Sequence, residues 1–158
     1  MWLNDLGLGF LIPYTLKHSK PDHLSLKKAK EWQKKKAEAG LAAILWPKEF
    51  GGYGGTPIEQ VIYQQEEHSY FVHSGYFEIG IGMLGPTMMV WGKDEDKKRY
   101  LPKLAKGEII GAFGLTEPDA GSDAGGTKTK AILDGDDYIV NGGKIFITNA
   151  GEASVLSF

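Results

Sequence analysis

The chain has 158 residues, of which 42% are hydrophobic and 24% are charged, and its net charge is −2. This length fits one ordinary domain or two small ones, and the composition is that of a chain able to fill a core. Lysine supplies 17 of the 18 basic side chains. Because lysine cannot read base edges in the bidentate manner of arginine, we expect no nucleic-acid partner. Cysteine is absent, which excludes disulfides, iron–sulfur clusters and thiolate zinc sites.

The hydropathy pattern argues against a membrane protein. The apolar stretch at residues 6–12 has no positively charged region before it and no small-residue cleavage site, so we interpret it as a docked arm and not a signal peptide. The longest uncharged run, residues 79–92, is interrupted by glycines and Pro86 and is too short to span a bilayer. We therefore expect a cytoplasmic protein that does not enter the membrane.

The first half of the chain carries two helical patterns with recognisable ends. Residues 25–40 place apolar side chains near one stripe and lysines elsewhere, which predicts a surface helix with a solvated lysine face. Gly40 is a natural residue to end it. The sequence Thr56-Pro57-Ile58-Glu59 has the form of a capping box with proline at the first helical position, and predicts a helix over residues 57–72.

Two further predicted helices precede a region rich in strand-forming residues. Residues 75–91 are apolar on nearly every face, which predicts a buried, glycine-notched helical segment that restarts at Pro86. Asp94 is expected to cap a charged helix that stops near Gly107. Short runs rich in β-branched and aromatic residues follow, separated by turn residues, and predict strands within residues 109–116, 126–134, 138–140 and 144–148.

Helices followed by strands predict an α+β fold or two domains, with the boundary near residues 107–110. About four strands in so short a β region would leave open edges and an uncovered apolar face. We therefore expect the chain to be a fragment of a longer protein.

Several patterns have a structural explanation that we prefer to a functional one. Gly80 to Gly85 match G-x-G-x-x-G, but the preceding segment is helical and Pro86 follows at once, so close helix packing is favoured over dinucleotide binding. Neighbouring helical residues point apart, so Glu66 and Glu67 are expected to be a solvated pair and not an acid–base pair. The four histidines lack metal-ligand spacing, and we expect no metal site: His18, His23, His68 and His73.

The segment 111–123, GAFGLTEPDAGSD, is different. A predicted strand runs into a rigid proline turn and then a loop, where amides beside Gly121 and the hydroxyl of Ser122 could form an anion-binding concavity. Such a loop fits a pyrophosphate. The residues alone are equally consistent with a capped β-turn.

Two linked motifs resemble the acyl-CoA dehydrogenase family. Phe113-Gly-Leu-Thr-Glu-Pro-Asp-Ala-Gly-Ser-Asp123 is similar to the family signature, and Tyr138-Ile-Val-Asn-Gly-Gly-Lys-Ile-Phe-Ile-Thr-Asn149 is similar to its second flavin segment. Upstream, Trp46-Pro-Lys-Glu-Phe-Gly-Gly52 also resembles its helical domain. The resemblance implies an N-terminal helical domain over residues 1–108 and the first strands of a β-barrel-like middle domain over residues 109–158.

The same resemblance implies a set of FAD-binding residues. Thr116 would hydrogen-bond the edge of the flavin ring, Phe146 would pack on the ring, and Thr148 would hydrogen-bond near the flavin nitrogen that receives hydride. Ser122 would meet both the FAD pyrophosphate and the CoA side. The full implied set is Phe113, Leu115, Thr116, Gly121, Ser122, Phe146, Ile147 and Thr148.

The implied activity is α,β-dehydrogenation of an acyl-CoA thioester, with hydride passing to FAD. The resemblance further implies fatty acid metabolism, an electron-transferring flavoprotein as electron acceptor and a homotetramer. The family's glutamate base lies in a C-terminal domain beyond these residues, and neither Glu59 nor Glu117 matches it, so we assign no catalytic residue and expect this chain alone to be inactive. Two alternatives stay open: a non-catalytic module that binds acyl-CoA or a partner, and a related flavin oxidase or monooxygenase.

Overall fold

The computed structural model describes residues 12–13, 23–72 and 75–158. Its helices are α1 (His23–Glu38), α2 (Pro57–His68), α3 (Gly75–Ile79), α4 (Gly85–Trp91) and α5 (Asp94–Lys106). Its strands are β1 (Ile12–Pro13), β2 (Tyr70–Phe71), β3 (Gly111–Phe113), β4 (Lys130–Asp134), β5 (Asp137–Asn141) and β6 (Val155–Ser157). This mixture of a helical region and later strands confirms the predicted α+β class. Most of the expected N-terminal arm, together with His18 and His73, lies outside the described residues.

The main core is built around α5. Leu101, Leu104 and Ala105 of this helix are fully buried, and Trp46 packs against them from the loop after α1. The indole nitrogen of Trp46 donates a hydrogen bond to the carbonyl of Ile81, at 3.1 Å. A large aromatic side chain with its polar atom satisfied thereby joins the loop to the helical segment that follows α3.

Glycines allow the segment between α3 and α4 to pack closely. A π-helical turn, Gly80–Leu84, joins the two helices, and α4 starts at Gly85 with Pro86 in its first turn, as predicted. A methyl group at Gly85 would overlap the Trp46 ring. Close packing therefore accounts for Gly85, and for Gly80 against Leu104 and Gly111, but not for Gly82, where a methyl group would meet nothing within 4 Å. Burial of the segment is only partial, because Trp91 at its end is 84% exposed.

The contact between α1 and α2 corrects two expectations. Lys36 on α1 has a side chain only 8% exposed and forms an ion pair with Glu67 of α2, at 3.1 Å. The same Glu67 oxygen accepts hydrogen bonds from Trp32 Nε1 (2.7 Å) and from the Tyr63 hydroxyl (3.2 Å). The predicted solvated lysine face is thus wrong at Lys36, and the solvated Glu66–Glu67 pair is wrong at Glu67. Burial, reinforced by the neighbouring carboxylate, raises the pKa of Tyr63.

The helix ends agree with the sequence in most details. Thr56 and Glu59 form the predicted capping box at the start of α2, although this helix ends at His68 and β2 follows. Lys93 occupies the N-cap position of α5, so the expected Asp94 cap is wrong, and Asp94 is the first helical residue. At the other end Gly107 adopts a left-handed φ of 71° and ends the helix as predicted.

The strands form short pairs. β3 and β6 pair in parallel, with Gly111 opposite Val155, and β4 and β5 form an antiparallel hairpin around Gly135, which has a φ of 63°. All residues of this hairpin are exposed. Residues 144–148 form no strand, so that prediction is wrong.

Two kinds of feature are absent from the described residues. None of their helices combines the length and apolar character needed to cross a bilayer. Likewise, none of their His, Asp and Glu side chains gather in groups of three or more that could hold a metal ion.

Candidate functional site

A tight turn after β3 brings a carboxylate into the β region. Glu117 N donates to Ala120 O (2.9 Å), and Ala120 N donates back to Glu117 O (3.2 Å), which closes the turn around Pro118 and Asp119. This is the rigid proline turn expected from the sequence. Because Glu117 is the first residue of the turn, the turn fixes its side chain a few residues after the end of β3.

The Glu117 carboxylate is buried and fully engaged. Only 6% of its side chain is exposed, and it accepts hydrogen bonds from Lys144 Nζ (2.8 Å), Lys128 N (2.6 Å) and Thr129 N (2.9 Å). The hydrogen bond from the Lys144 ammonium, together with the hydrogen bonds from Thr129 and from the Lys128 backbone amide, lowers the pKa of Glu117 to about 2. At neutral pH this carboxylate is therefore ionised and acts as an acceptor.

Lys144 links the turn to a second segment of the chain. Its ammonium also donates to the carbonyl of Leu115, at 3.1 Å. One residue later Ile145 N donates to Thr116 O, at 3.0 Å. Residues 144–148 therefore run beside residues 115–117, although a single backbone hydrogen bond takes the place of a strand ladder.

Two residues with left-handed backbone explain why this second segment is not a strand. Phe146 has a φ of 55° and Asn149 a φ of 66°, values that neither continue a strand nor suit a phenylalanine. The Asn149 side chain donates to Tyr76 O (2.9 Å) and Gly111 O (3.4 Å), which ties the end of the segment to α3 and β3. The segment is thus anchored at Lys144 and again at Asn149.

The structure brings six of the eight predicted site residues onto two adjoining segments. Phe146 is 90% exposed and Leu115 is 40% exposed, while Thr116 and Ile147 are half-buried. Thr148 is exposed. Phe113 is half-buried and packs against the core cluster that contains Leu104. The result is a surface with uncovered apolar side chains and two threonines.

Gly121 and Ser122 lie in the exposed loop after the turn. A methyl group at Gly121 would meet nothing within 4 Å. Beside the loop, Asp119 and Lys128 form an exposed ion pair at 3.1 Å. Among the described residues no hydrogen bond joins Gly121 or Ser122 to residues 144–148.

The residue types present fit a flavin dinucleotide. Exposed Phe146 and Leu115 offer apolar surface to a planar ring system, and the hydroxyls of Thr116 and Thr148 offer polar contacts to its edge. The open space at Gly121 leaves the loop backbone accessible to a phosphate group.

Glu117, Lys144 and Asn149 shape this surface, but they are not among the site residues predicted from the sequence. The available signal was weak: each is a polar residue next to predicted strand residues, and the first two are far apart in sequence. A charged residue of each sign beside short apolar runs is a pattern that could have suggested a buried ion pair.

A separate cavity of about 520 Å³ lies among α1, α2 and α3. Its wall includes Gln33, Lys36, Tyr63 and Phe77. Gln33 is fully buried, and its Nε2 donates to Ala105 O at 2.8 Å, while its Oε1 lacks a partner among the described residues. The cavity is large enough to supply that oxygen with a water molecule.

Comparison with known proteins identifies relatives for nearly the whole chain. Residues 13–108 match the family model described as acyl-CoA dehydrogenase, N-terminal domain, and residues 112–157 match the model described as acyl-CoA dehydrogenase, middle domain. Acryloyl-CoA reductase (NADH) of Anaerotignum propionicum is 48% identical over 126 residues, covering 78% of this chain and 32% of that protein. The short-chain specific acyl-CoA dehydrogenase of Clostridium acetobutylicum is 42% identical, covering 76% and 32%.

Solved structures agree. A glutaryl-CoA dehydrogenase from Mycobacterium smegmatis in complex with FADH2 is similar with a TM-score of 0.68 at 31% identity, covering 83% of this chain and 35% of the solved one. The chain therefore spans about a third of the length of the relatives that it matches.

Proposed function

Because the chain belongs to the acyl-CoA dehydrogenase family, we propose that the protein to which it belongs is an FAD-dependent oxidoreductase acting on acyl-CoA thioesters. When bound, FAD would supply the acceptor for the hydride that leaves the β-carbon as the α-proton goes to a base. The observation that carries this proposal is the joining of residues 115–117 to residues 144–148 at the Glu117–Lys144 pair.

We assign binding of the flavin ring to the residues of this joined surface. The hydroxyls of Thr116 and Thr148 would hydrogen-bond the edge of the flavin, and Phe146 would cover a face of the ring. Phe113, Leu115 and Ile147 would complete the apolar contact. Holding a planar ring between fixed hydroxyls and an aromatic face orients it for transfer at one edge.

The exposed loop would hold the charged part of the ligands. Gly121 and Ser122 would bind the FAD pyrophosphate through the backbone and the hydroxyl, and Ser122 would also face the CoA thioester. No residue of the described chain is assigned as the catalytic base. The Glu117 carboxylate is unsuited to that role because three donors already occupy it.

The named relatives differ in the direction of the reaction that they catalyse. Relatives include both acyl-CoA dehydrogenases and reductases, the latter exemplified by the acryloyl-CoA reductase (NADH) of A. propionicum. The same flavin site serves either direction, since hydride passes between the same two partners. We propose dehydrogenation as the primary activity and reduction of a 2,3-unsaturated thioester as the alternative.

We propose a role in fatty acid metabolism, a homotetramer, a cytoplasmic location and an electron-transferring flavoprotein as the acceptor. Support for the acceptor comes from the solved structure of the electron transferring flavoprotein of Acidaminococcus fermentans, in which one chain is similar to this one with a TM-score of 0.65 at 30% identity.

The assigned residues can be tested by substitution in the protein expressed from its complete native gene. Ser122→Ala and Thr148→Ala should each weaken flavin retention, by about 1–3 kcal/mol for one hydrogen bond to a charged or buried partner. Flavin content after dialysis and the rate of flavin reduction by acyl-CoA are the measurements. Wild-type values in both variants would contradict the assignment of these residues.

A further inference from the structure

We propose that Glu117, Lys144 and Asn149 are positioning residues that fix residues 146–148 against residues 115–116 and thereby set the geometry of the flavin-facing surface. The proposal rests on the proposed function for the meaning of that surface. The clamp itself, defined as these three side chains, is a property of the chain and can be tested without ligand.

The first observation is that three chain segments meet at one carboxylate. Glu117 follows β3, Lys128 and Thr129 precede β4, and Lys144 follows β5. The carboxylate accepts one hydrogen bond from each of these three residues, at 2.6–2.9 Å. A buried acceptor shared in this way fixes the three segments relative to one another, because losing any donor leaves polar atoms unpaired.

The second observation is that residues 144–149 have few other means of keeping their place. Phe146 and Asn149 interrupt extended backbone, so the segment lacks the repeated hydrogen bonds of a strand. Among the described residues, its hydrogen bonds to earlier parts of the chain are Lys144 to Leu115 and Glu117, the Ile145 amide to Thr116, and the Asn149 side chain to Tyr76 and Gly111. Its other backbone hydrogen bonds are local, since the Ile147 carbonyl accepts from Ala150 N and the Asn149 carbonyl accepts from Glu152 N and Ala153 N. Residues 146–148 therefore lie between two ends that are hydrogen-bonded to distant parts of the fold.

The third observation concerns the placement of Phe146. A phenylalanine that is 90% exposed has little packing of its own to hold it. Its left-handed φ of 55° is also an unfavourable conformation for a bulky residue, so surrounding contacts must maintain it. The anchors on either side supply those contacts, which makes the direction of Phe146 dependent on Lys144 and Asn149.

The test compares Lys144→Met with Lys130→Met in the protein expressed from its complete native gene. The two variants make the same chemical change, but Lys130 lies on the exposed β4 strand. In flavin-free protein, hydrogen exchange at the Ile145 amide should accelerate by about tenfold or more in Lys144→Met and stay unchanged in Lys130→Met. Exchange at the Leu104 amide in α5 is the internal reference, and it should not change in either variant.

A second readout separates positioning from simple stabilisation. With flavin saturating, Lys144→Met should lower kcat by about 10- to 100-fold with little change in KM, and should alter the visible circular dichroism of the flavin. Lys144→Arg, which keeps the charge, should recover most of both. Unchanged Ile145 exchange together with an unchanged flavin spectrum in Lys144→Met would overturn the clamp.

The proposal stays testable if Lys144→Met does not fold or if the wild-type protein binds no flavin. If Lys144→Met does not fold, Glu117→Gln is measured instead, since it keeps the side-chain shape and one of the two acceptor oxygens; wild-type exchange at Ile145 in that variant overturns the clamp. If the wild-type protein binds no flavin, the proposed function fails, whereas accelerated exchange in the flavin-free variant still supports the clamp.

Discussion

Replacing Glu67 by leucine tests the buried ion pair between α1 and α2. The change removes the acceptor of Trp32 Nε1 and of the Tyr63 hydroxyl, and it leaves the ammonium of Lys36, whose side chain is 8% exposed, without a counter-charge. Breaking a buried pair by removing one partner costs about 3–5 kcal/mol. We expect a loss of unfolding free energy in this range, near its lower end if the long Lys36 side chain reaches solvent.

Urea unfolding followed by tryptophan fluorescence measures the loss, because Trp32 is 2% exposed and lies in the cluster itself. Glu66→Leu is the matched control: the same substitution one residue earlier, at an exposed position, should change stability by no more than about 0.5 kcal/mol. The double variant Lys36→Met/Glu67→Leu should recover much of the loss, since no unpaired charge remains. A Glu67→Leu variant as stable as Glu66→Leu would refute the reasoning.

Two other predictions use the same kind of measurement. Gly40 and Gly107 both adopt left-handed backbone, with φ of 75° and 71°, but a methyl group would meet nothing at Gly40 and would lie 2.7 Å from Gln33 Cγ at Gly107. Gly40→Ala should therefore cost about 1–2 kcal/mol from backbone strain alone, and Gly107→Ala clearly more; equal costs in urea unfolding would contradict the packing described around Gln33. The pKa of Glu117 is lowered from 4.5 to about 2 in the folded chain, so the unfolded chain binds the proton first as pH falls. The stabilisation linked to this carboxylate is complete above about pH 4.5 and declines as pH falls towards 2. Glu117→Gln should remove that part of the pH dependence, and a wild-type profile in the variant would show that the carboxylate is not held as described.

Local patterns predicted the features that depend on neighbouring residues. The capping box at Thr56 and Glu59 formed because both partners lie within one helical turn. Gly107 ended α5 because its left-handed conformation is accessible to glycine at little cost. Such features need no knowledge of the rest of the fold.

Features that depend on distant contacts could not be predicted in the same way. The burial of Lys36 follows from its partner Glu67 on another helix, and neither helical pattern contains that information. Residues 144–148 have the composition of a strand, yet the ties from Lys144 and Asn149 hold them in another conformation. Tertiary contacts overrode local preference at both places.

In the candidate site, too, local motifs were predictable and long-range contacts were not. The motifs around Thr116 and Thr148 were visible in the sequence because they resemble those of a known family. The residues that join those motifs, Glu117 and Lys144, came only from the structure, since the pair unites positions on either side of the β4–β5 hairpin.

The most direct test of the proposed function is the visible spectrum of the protein expressed from its complete native gene, recorded without oxygen before and after adding acyl-CoA. We predict a flavin band near ~450 nm that bleaches as hydride is transferred from the thioester. A colourless protein that neither binds added FAD nor reacts would contradict the central claim.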